Sequence, residues 1–229
     1  MSTEVSPALE DCAKAIYALA QRAGGEPVTT NALADRLGLS PASVTALVKR
    51  LAERGLAEHR PYRGVRLTSR GERVALEVLR HHRLLERYLA EELGLPWDQV
   101  HEEAEVLEHV LSERLEQAIA AKLGDPSVDP HGDPIPGADL VLDDGPTTAL
   151  DDHGAGVVLR FVRVSDADPA VLRHLEALGV RLGCEIELIE REPFGGSLIA
   201  RVEGVPGRTV LGPELARAMR VVAAKEAAA

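Results

Sequence analysis

The stretch SPASVTALVKRLAERGLAEHRPYRGVRLTSRG (40–71) decides the fold of the first third of the chain. Ser40 is a helix N-cap followed by Pro41 at the first helical position, where its missing N–H costs nothing. Val44, Leu47, Val48 and Leu51 then recur at helical spacing and form one apolar stripe, and Gly55 ends the pattern. Leu56-Ala57-Glu58 and Val65-Arg66-Leu67-Thr68 flank the turn Arg60-Pro61-Tyr62-Arg63-Gly64 and read as a β-hairpin. Working back, Ala8, Ala13, Ile16, Tyr17, Leu19 and Ala20 mark a helix that Gly24-Gly25 stops. Thr29-Thr30 opens a short helix, Asn31 to Leu37, closed by Gly38. Three helices followed by a hairpin is the order of a winged helix–turn–helix.

Working forward, two longer helical stretches, Ser69 to Leu93 and Trp97 to Leu123, are split by Gly94-Leu95-Pro96. Residues 124–156 are rich in Pro, Gly and Asp and read as a linker. Beyond it the periodicity becomes strand-like, at 157–164, 185–192, 197–204 and 208–211, with a short helix from Pro169 to Leu178 and a turn or helical turn over 212–219. Several short strands in a small segment suggest a β-barrel. The expected fold is mainly α with a C-terminal β-barrel.

Composition bounds the function. At 229 residues, 45% hydrophobic and 28% charged, the chain suits one large domain or two to three small ones. No basic-then-apolar leader opens it and no apolar run approaches the ~18 residues of a membrane span, so a cytoplasmic location without membrane contact is expected. Cys12 and Cys184 lie far apart and read as free thiols of a reducing compartment. Net charge is −11, yet residues 49–73 hold eight Lys/Arg against three acids, which leaves −16 for the remainder. Phosphate binding follows the local field, so this basic island is a candidate contact surface; alone, an ordinary solvated cluster would be the better reading.

Residues 101–113, HEEAEVLEHVLSE, carry the chemistry. HEEAE nearly spells the zinc-protease motif H-E-x-x-H, but Glu105 stands where the second imidazole is required, and His101 and His109 are two turns apart. A di-iron oxidase would need Glu three residues before its histidines, where Leu79, Asp98 and Val106 stand. On a helix, His101, Glu105, Glu108 and His109 share one arc, and His82 and Glu86 share one face of the preceding helix. Asp11, on the first helix, adds a carboxylate. Imidazoles and carboxylates gathered on facing helices suit a divalent transition metal better than surface ion pairing.

These residues, with AIYAL (15–19), SPASVTALVKRLAERGL (40–56), YRGVRLTSRG (62–71), HRLLER (82–87), GLPWDQVHEEAEVLEHVLSE (94–113) and PHGDPIPG (130–137), resemble the diphtheria toxin repressor and iron-dependent regulator family, which includes the manganese transport regulators. The resemblance covers most of the chain. It implies a metal-activated transcriptional repressor with a winged helix–turn–helix DNA-binding domain (1–72), a helical dimerisation and metal-binding domain (73–140), a flexible linker (141–156) and an SH3-like, FeoA-like domain (157–226). His82, Glu86 and His101 match one metal site of the family, completed in three-domain members by a barrel carboxylate, for which Asp168 is the choice and Asp166 the rival. Val171 stands where iron regulators often have a glutamine. Asp11, Glu105, Glu108 and His109 match the second site. Iron-type members place methionine and cysteine at the positions of Asp11 and Glu105, whereas manganese-type members place carboxylates, as here. Hard oxygen donors suit Mn(II), so Mn(II) is the expected effector, with Fe(II) or Co(II) as alternatives.

The resemblance further implies a homodimer on a palindromic double-stranded DNA operator, controlling genes of metal uptake and homeostasis, and no small organic substrate. If the helix at 40–54 is the recognition helix, Ser40, Pro41, Ser43, Thr45 and Ala46 are expected to meet base edges with few strong bidentate contacts, Lys49, Arg50, Tyr62 and Arg63 to serve phosphates or groove edges, and Thr30 to join the DNA-binding set. Two rival readings are a DNA-binding regulator sensing a non-metal ligand through the barrel, and a metalloenzyme. The latter lacks a general base that is not already a ligand. Cys12 reads as a core thiol, Trp97 as packing for the interhelical turn, and His81 as pointing off the site. His131 and His153 read as solvent-exposed linker residues, and His59 and His174 have no evident partner.

Overall fold

The computed structural model describes residues 5–60 and 63–224, which divide into two compact units. The first comprises the N-terminal residues through Leu85, Glu105–Asp125 and Ile135–Leu142; the second comprises Glu86–Ala104, Pro126–Pro134 and Asp143 onward. The division runs through two helices, α4 and α5, introduced below.

In the first unit, α1 (Pro7–Arg22), α2 (Thr30–Leu37) and α3 (Pro41–Glu53) precede the antiparallel hairpin β1 (Ala57–Arg60) and β2 (Gly64–Leu67). Pro7 and Pro41 open their helices, and the Ser40 hydroxyl accepts from Ser43 N at 3.1 Å. The cap of α2 is Thr29, which accepts from Ala32 N, so Thr30 is the first helical residue. Leu9, Cys12, Ile16, Leu33, Val44, Val48, Leu51, Leu56 and Val65 make the core. Cys12 is fully buried there, and burial pushes its thiol up to about 11. Gly64 has φ +85° where the hairpin turns back, and a Cβ there would stand 2.7 Å from Val28 O, so both torsion and space demand glycine. Val28 and Val65 exchange two backbone hydrogen bonds, laying a third extended segment beside the wing.

From Ser69 the chain runs into α4 (Ser69–Glu91), then α5 (Val100–Leu107) and α6 (Glu113–Lys122). The expected continuous helix from Trp97 to Leu123 is therefore two helices. Ser112 interrupts it because its side chain caps Leu115 N, a better use of a short hydroxyl than a helix interior offers. The break leaves Glu108 and His109 in a turn after α5 rather than within a helix.

In the second unit, β3 (Thr148–Ala149), β4 (Val158–Val164), β5 (Glu185–Arg191), β6 (Leu198–Val202), β7 (Thr209–Leu211) and β8 (Met219–Ala223) form an antiparallel sheet in the order β3-β8-β4-β5-β6-β7. Register shifts in β4 between Phe161 and Arg163 and in β5 between Leu188 and Glu190 increase its curl. Helices α7 (Pro169–Leu178) and α8 (Pro213–Ala218) accompany it, over a core of Phe161, Leu172, Leu175, Ile186, Leu188, Leu198 and Val221. Two strands were not legible as such. β8 begins where the expected turn or helical turn over 212–219 ends, and β3, paired with it, lies within the expected linker, with Leu150 fully buried behind it.

Candidate metal centre and DNA-facing surface

One cluster lies wholly within the first unit. Asp11 comes from the middle of α1, and Glu105, Glu108 and His109 come from the last turn of α5 and the turn beyond it. His109 Nε2 is 3.0 Å from Asp11 Oδ1 and 3.6 Å from Glu108 Oε1. His82, from α4, places Nδ1 2.5 Å from Glu108 Oε2 and 3.8 Å from Glu105 Oε1. Glu108 has a completely buried side chain, whereas that of Glu105 is 41% exposed.

Two residues of this cluster were missed from the sequence. Lys14 places Nζ 2.8 Å from Glu105 Oε1 and 2.6 Å from Glu108 Oε1. Burial works against its charge, but the Glu108 and Glu105 carboxylates prevail and hold its pKa above the ordinary lysine value. Glu10 Oε2 meets His109 Nδ1 at 2.7 Å, a carboxylate behind the imidazole that fixes its orientation. Helical spacing held the signal, since Lys14 is three residues after Asp11 and four after Glu10. His81 turns away, as expected, with Nδ1 3.1 Å from Glu108 O and Nε2 3.2 Å from Glu116 Oε2. Arg80 completes that anchor by donating to Glu116 at 2.5 Å and to Pro136 O at 2.6 Å.

The donor set fits a hard divalent cation on two observations. Asp11 Oδ1 is buried and pairs with His109 Nε2 at 3.0 Å without the geometry of a hydrogen bond, and its carboxyl pKa is raised because burial outweighs the pull of His109 and Lys14. The site also draws in a cation, because the Lys14 ammonium sits between two of its carboxylates.

A second cluster lies in the second unit. His101 Nδ1 is 3.1 Å from Glu86 Oε1 and 3.0 Å from Asp166 Oδ2. Hydrogen bonds to Asp166 and Glu86 push the His101 pKa up to about 10. Burial alone would raise the Asp166 pKa, but its hydrogen bond to His101 lowers it. The expected Asp168 is not part of this group. It is the N-cap of α7, and its Oδ1 accepts from Ala170 N at 2.9 Å, which is the local use a short carboxylate finds before Pro169. Asp166, two residues earlier, takes the position beside His101, and Val171 packs against the barrel core. His82 lies four residues before Glu86 on α4, on the same face of that helix.

His131 is a further correction. The linker reading made it solvent-exposed, yet its side chain is fully buried and its ring stacks on Trp97 with centroids 6.1 Å apart. Trp97 in turn packs against the barrel core. His153 is half-buried, with Nε2 2.7 Å from Thr148 Oγ1.

Of the residues expected to meet DNA, Ser40, Pro41, Ser43, Thr45, Ala46, Lys49, Arg50 and Arg63 are exposed, and Thr30 is half-buried. Thr45 Oγ1 donates to Pro41 O at 2.7 Å and the Ser40 and Ser43 hydroxyls bond each other, so these groups are held by their own helix. Among the described residues, Lys49 makes only a 3.8 Å exposed pair with Glu53. Tyr62 lies outside the described residues.

A winged helix–turn–helix with a free helix face, a histidine–carboxylate centre built partly from its first helix, and an SH3-like barrel define a metal-dependent DNA-binding repressor. Residues 4–65 match the family described as iron dependent repressor, N-terminal DNA binding domain, and residues 68–137 match its metal binding and dimerisation domain. Residues 148–223 match the FeoA domain. The chain belongs to the iron-dependent, or diphtheria toxin, repressor family and is a transcriptional repressor, not an enzyme. It is 34% identical to the diphtheria toxin repressor of Corynebacterium efficiens over 182 residues, covering 75% of this chain and 77% of the relative. It is 33% identical over 187 residues to the iron-dependent repressor IdeR of Mycobacterium tuberculosis, covering 75% and 79%. Among solved structures, a manganese-dependent transcriptional repressor in complex with manganese superposes with a TM-score of 0.86 at 40% identity, covering 94% of this chain and all of that one. The manganese regulator SloR superposes at 0.76 with 29% identity, covering 96% and 100%. Among the described residues, no helix is long and apolar enough to cross a membrane.

Proposed function

We propose that this repressor responds to manganese(II), and that the metal acts by fixing α1 to the turn after α5. The observation that carries the reading is the donor set of the first cluster, in which Asp11, Glu108 and His109 each offer a ligand atom within 4.8 Å of the others, and Glu105 and Glu108 form a like group with His82. Mn(II) binds weakly in the divalent series and favours such hard donors, whereas sulfur ligands shift preference toward softer ions. The second set is Glu86 and His101, with Asp166 in place of Asp168 as the barrel carboxylate. The bound ion supplies positive charge and directional bonds to carboxylates that otherwise repel. Asp11 brings the DNA-binding domain to that ion; Glu108, His109 and Glu105 bring the dimerisation segment. Glu10 and His81, through His109 and the Glu108 backbone, hold those ligands in place. Joining the two lowers the ordering cost of presenting α3 to DNA.

Dimerisation is supported by Val106 and Val110, which expose 72% and 76% of their surface together with Leu107 and Leu115 in the segment matched to the dimerisation domain. A two-fold dimer places two copies of α3 on a palindromic operator in double-stranded DNA. Regulation of metal uptake and homeostasis genes in the cytoplasm follows from this reading. Iron(II) is the second reading, favoured by the iron-dependent relatives. The discriminating experiment is the double variant Asp11→Met, Glu105→Cys in anaerobic titrations of DNA binding with Mn(II), Fe(II) and Co(II). A shift of preference from Mn(II) toward Fe(II) and Co(II) is expected, and an unchanged metal order refutes the assignment.

A further inference from the structure

Three buried titratable side chains lie together in the second unit without having been assigned to either cluster as a group. Glu86, Asp129 and His131 are 1%, 2% and 0% exposed, and each offers a ligand atom within 4.8 Å of the others. We propose that they form a third divalent-cation site, with the Glu86 carboxylate shared between it and the His101–Asp166 group.

The imidazole of His131 carries the argument. Its Nε2 is 2.7 Å from Trp97 O, and a carbonyl can only accept, so Nε2 bears a proton. Nδ1 is buried and has no hydrogen-bond partner among the described residues. It points at Glu86 Oε2 from 3.9 Å, too far for a hydrogen bond. A proton on Nδ1 would thus be a buried donor without an acceptor, whereas a lone pair there is a ligand aimed at a carboxylate. A histidine whose far nitrogen donates to a backbone carbonyl while its near nitrogen faces carboxylates is the arrangement that metal-binding histidines adopt.

The ring cannot easily turn away. Trp97 stacks on it, and His131 O accepts from Val164 N at 2.9 Å, tying the loop to β4. Asp129 Oδ1 accepts from His131 N and Asp133 N, which closes the loop around its own ligand residues. Gly132, at φ +87°, passes so close to Val162 O that a Cβ would stand 2.0 Å from it. Glu86 directs Oε1 toward His101 and Oε2 toward His131, the disposition of a bridging carboxylate. One imidazole and two carboxylates suit a hard ion of the Mn(II) class.

The test is the number of Mn(II) ions held per full-length chain after equilibrium dialysis, together with anomalous diffraction from Mn(II)-loaded crystals. The account expects three ions, one beside His131 Nδ1. Asp129→Asn, which keeps the acceptor for both backbone N–H groups and removes the charge, is expected to hold two. His131→Phe is expected to do the same. Two ions in the unaltered chain with no anomalous peak at His131, or three retained in Asp129→Asn, would overturn the third site and leave the proposed function standing. Fewer than two ions in the unaltered chain would overturn both.

Discussion

Lys14→Met puts the electrostatics of the first cluster to the hardest test, because the lysine ammonium and a divalent ion compete for the same carboxylates. Lys14 donates to Glu108 at 2.6 Å and Glu105 at 2.8 Å. The Glu108 side chain has no exposed surface, so its bond acts at low dielectric; that of Glu105 is 41% exposed and is partly screened by water. Removing one partner of a buried pair costs roughly 3–5 kcal/mol, and the exposure of Glu105 places this case near ~3 kcal/mol. Methionine retains the apolar stem and removes only the charge. The metal-free variant should therefore lose about 3 kcal/mol of stability in urea unfolding of the first unit's transition. If the metal takes these carboxylates from the lysine, the same energy reappears as tighter binding. By linkage, about 3 kcal/mol is roughly a hundredfold in affinity, and calorimetric titration with Mn(II) should find an increase between about tenfold and a hundredfold. Lost stability with unchanged or weaker Mn(II) affinity would show that lysine and metal do not share these carboxylates.

The remaining predictions concern protons, DNA contacts and the wing. His101, with its pKa pushed up to about 10, holds a proton at neutral pH that a ligated metal must displace. Metal affinity at that site should fall about tenfold for each pH unit between pH 8 and 6, with proton release visible in buffers of different ionisation enthalpy. In the metal-free chain the sign runs the other way. The raised pKa adds stability that is complete below the unfolded value of about 6.5 and fades as pH rises toward 10, as unfolding at pH 6, 8 and 10 will show. Lys49→Ala and Arg63→Ala should weaken operator and non-specific DNA alike, each reducing the salt slope by about one, whereas a base-reading role would change sequence preference instead. Gly64→Ala should destabilise the wing by about 1–3 kcal/mol through its positive φ and its approach to Val28 O.

The winged helix was legible because its signals are local. Ser40, Pro41, the Val44–Leu51 stripe and Gly55 specify one helix without help from distant residues, and the caps at Ser40 and Thr29 are where such residues belong. The break after α5 was hidden because its apolar periodicity runs through 108–112, and only the competing hydrogen bond of Ser112 stops the helix. β8 was hidden because Met219 and Val221 alternate for too few residues to outweigh the helical reading of the segment before them. At the candidate metal centre, the family pattern led to the expectation that Asp11, Glu108 and His109 come together, and they do, although Glu108 and His109 lie in a turn and not on the helix that the spacing implied. Asp166 and Asp168 are equal as carboxylates, and only three-dimensional structure decides that one caps α7 while the other meets His101. Composition misread His131, because a Pro- and Gly-rich segment resembles a linker even where its loop is buried against a strand.

The central claim is that metal loading sets DNA affinity. It is tested most directly by fluorescence anisotropy of a duplex enriched from random-sequence DNA by the Mn(II)-loaded chain. After exhaustive chelation the protein should bind that duplex no better than unselected DNA, and added Mn(II) should restore tight binding in proportion to occupancy of the Asp11–His109 cluster. Equal affinity for the selected duplex with and without chelator would contradict the account.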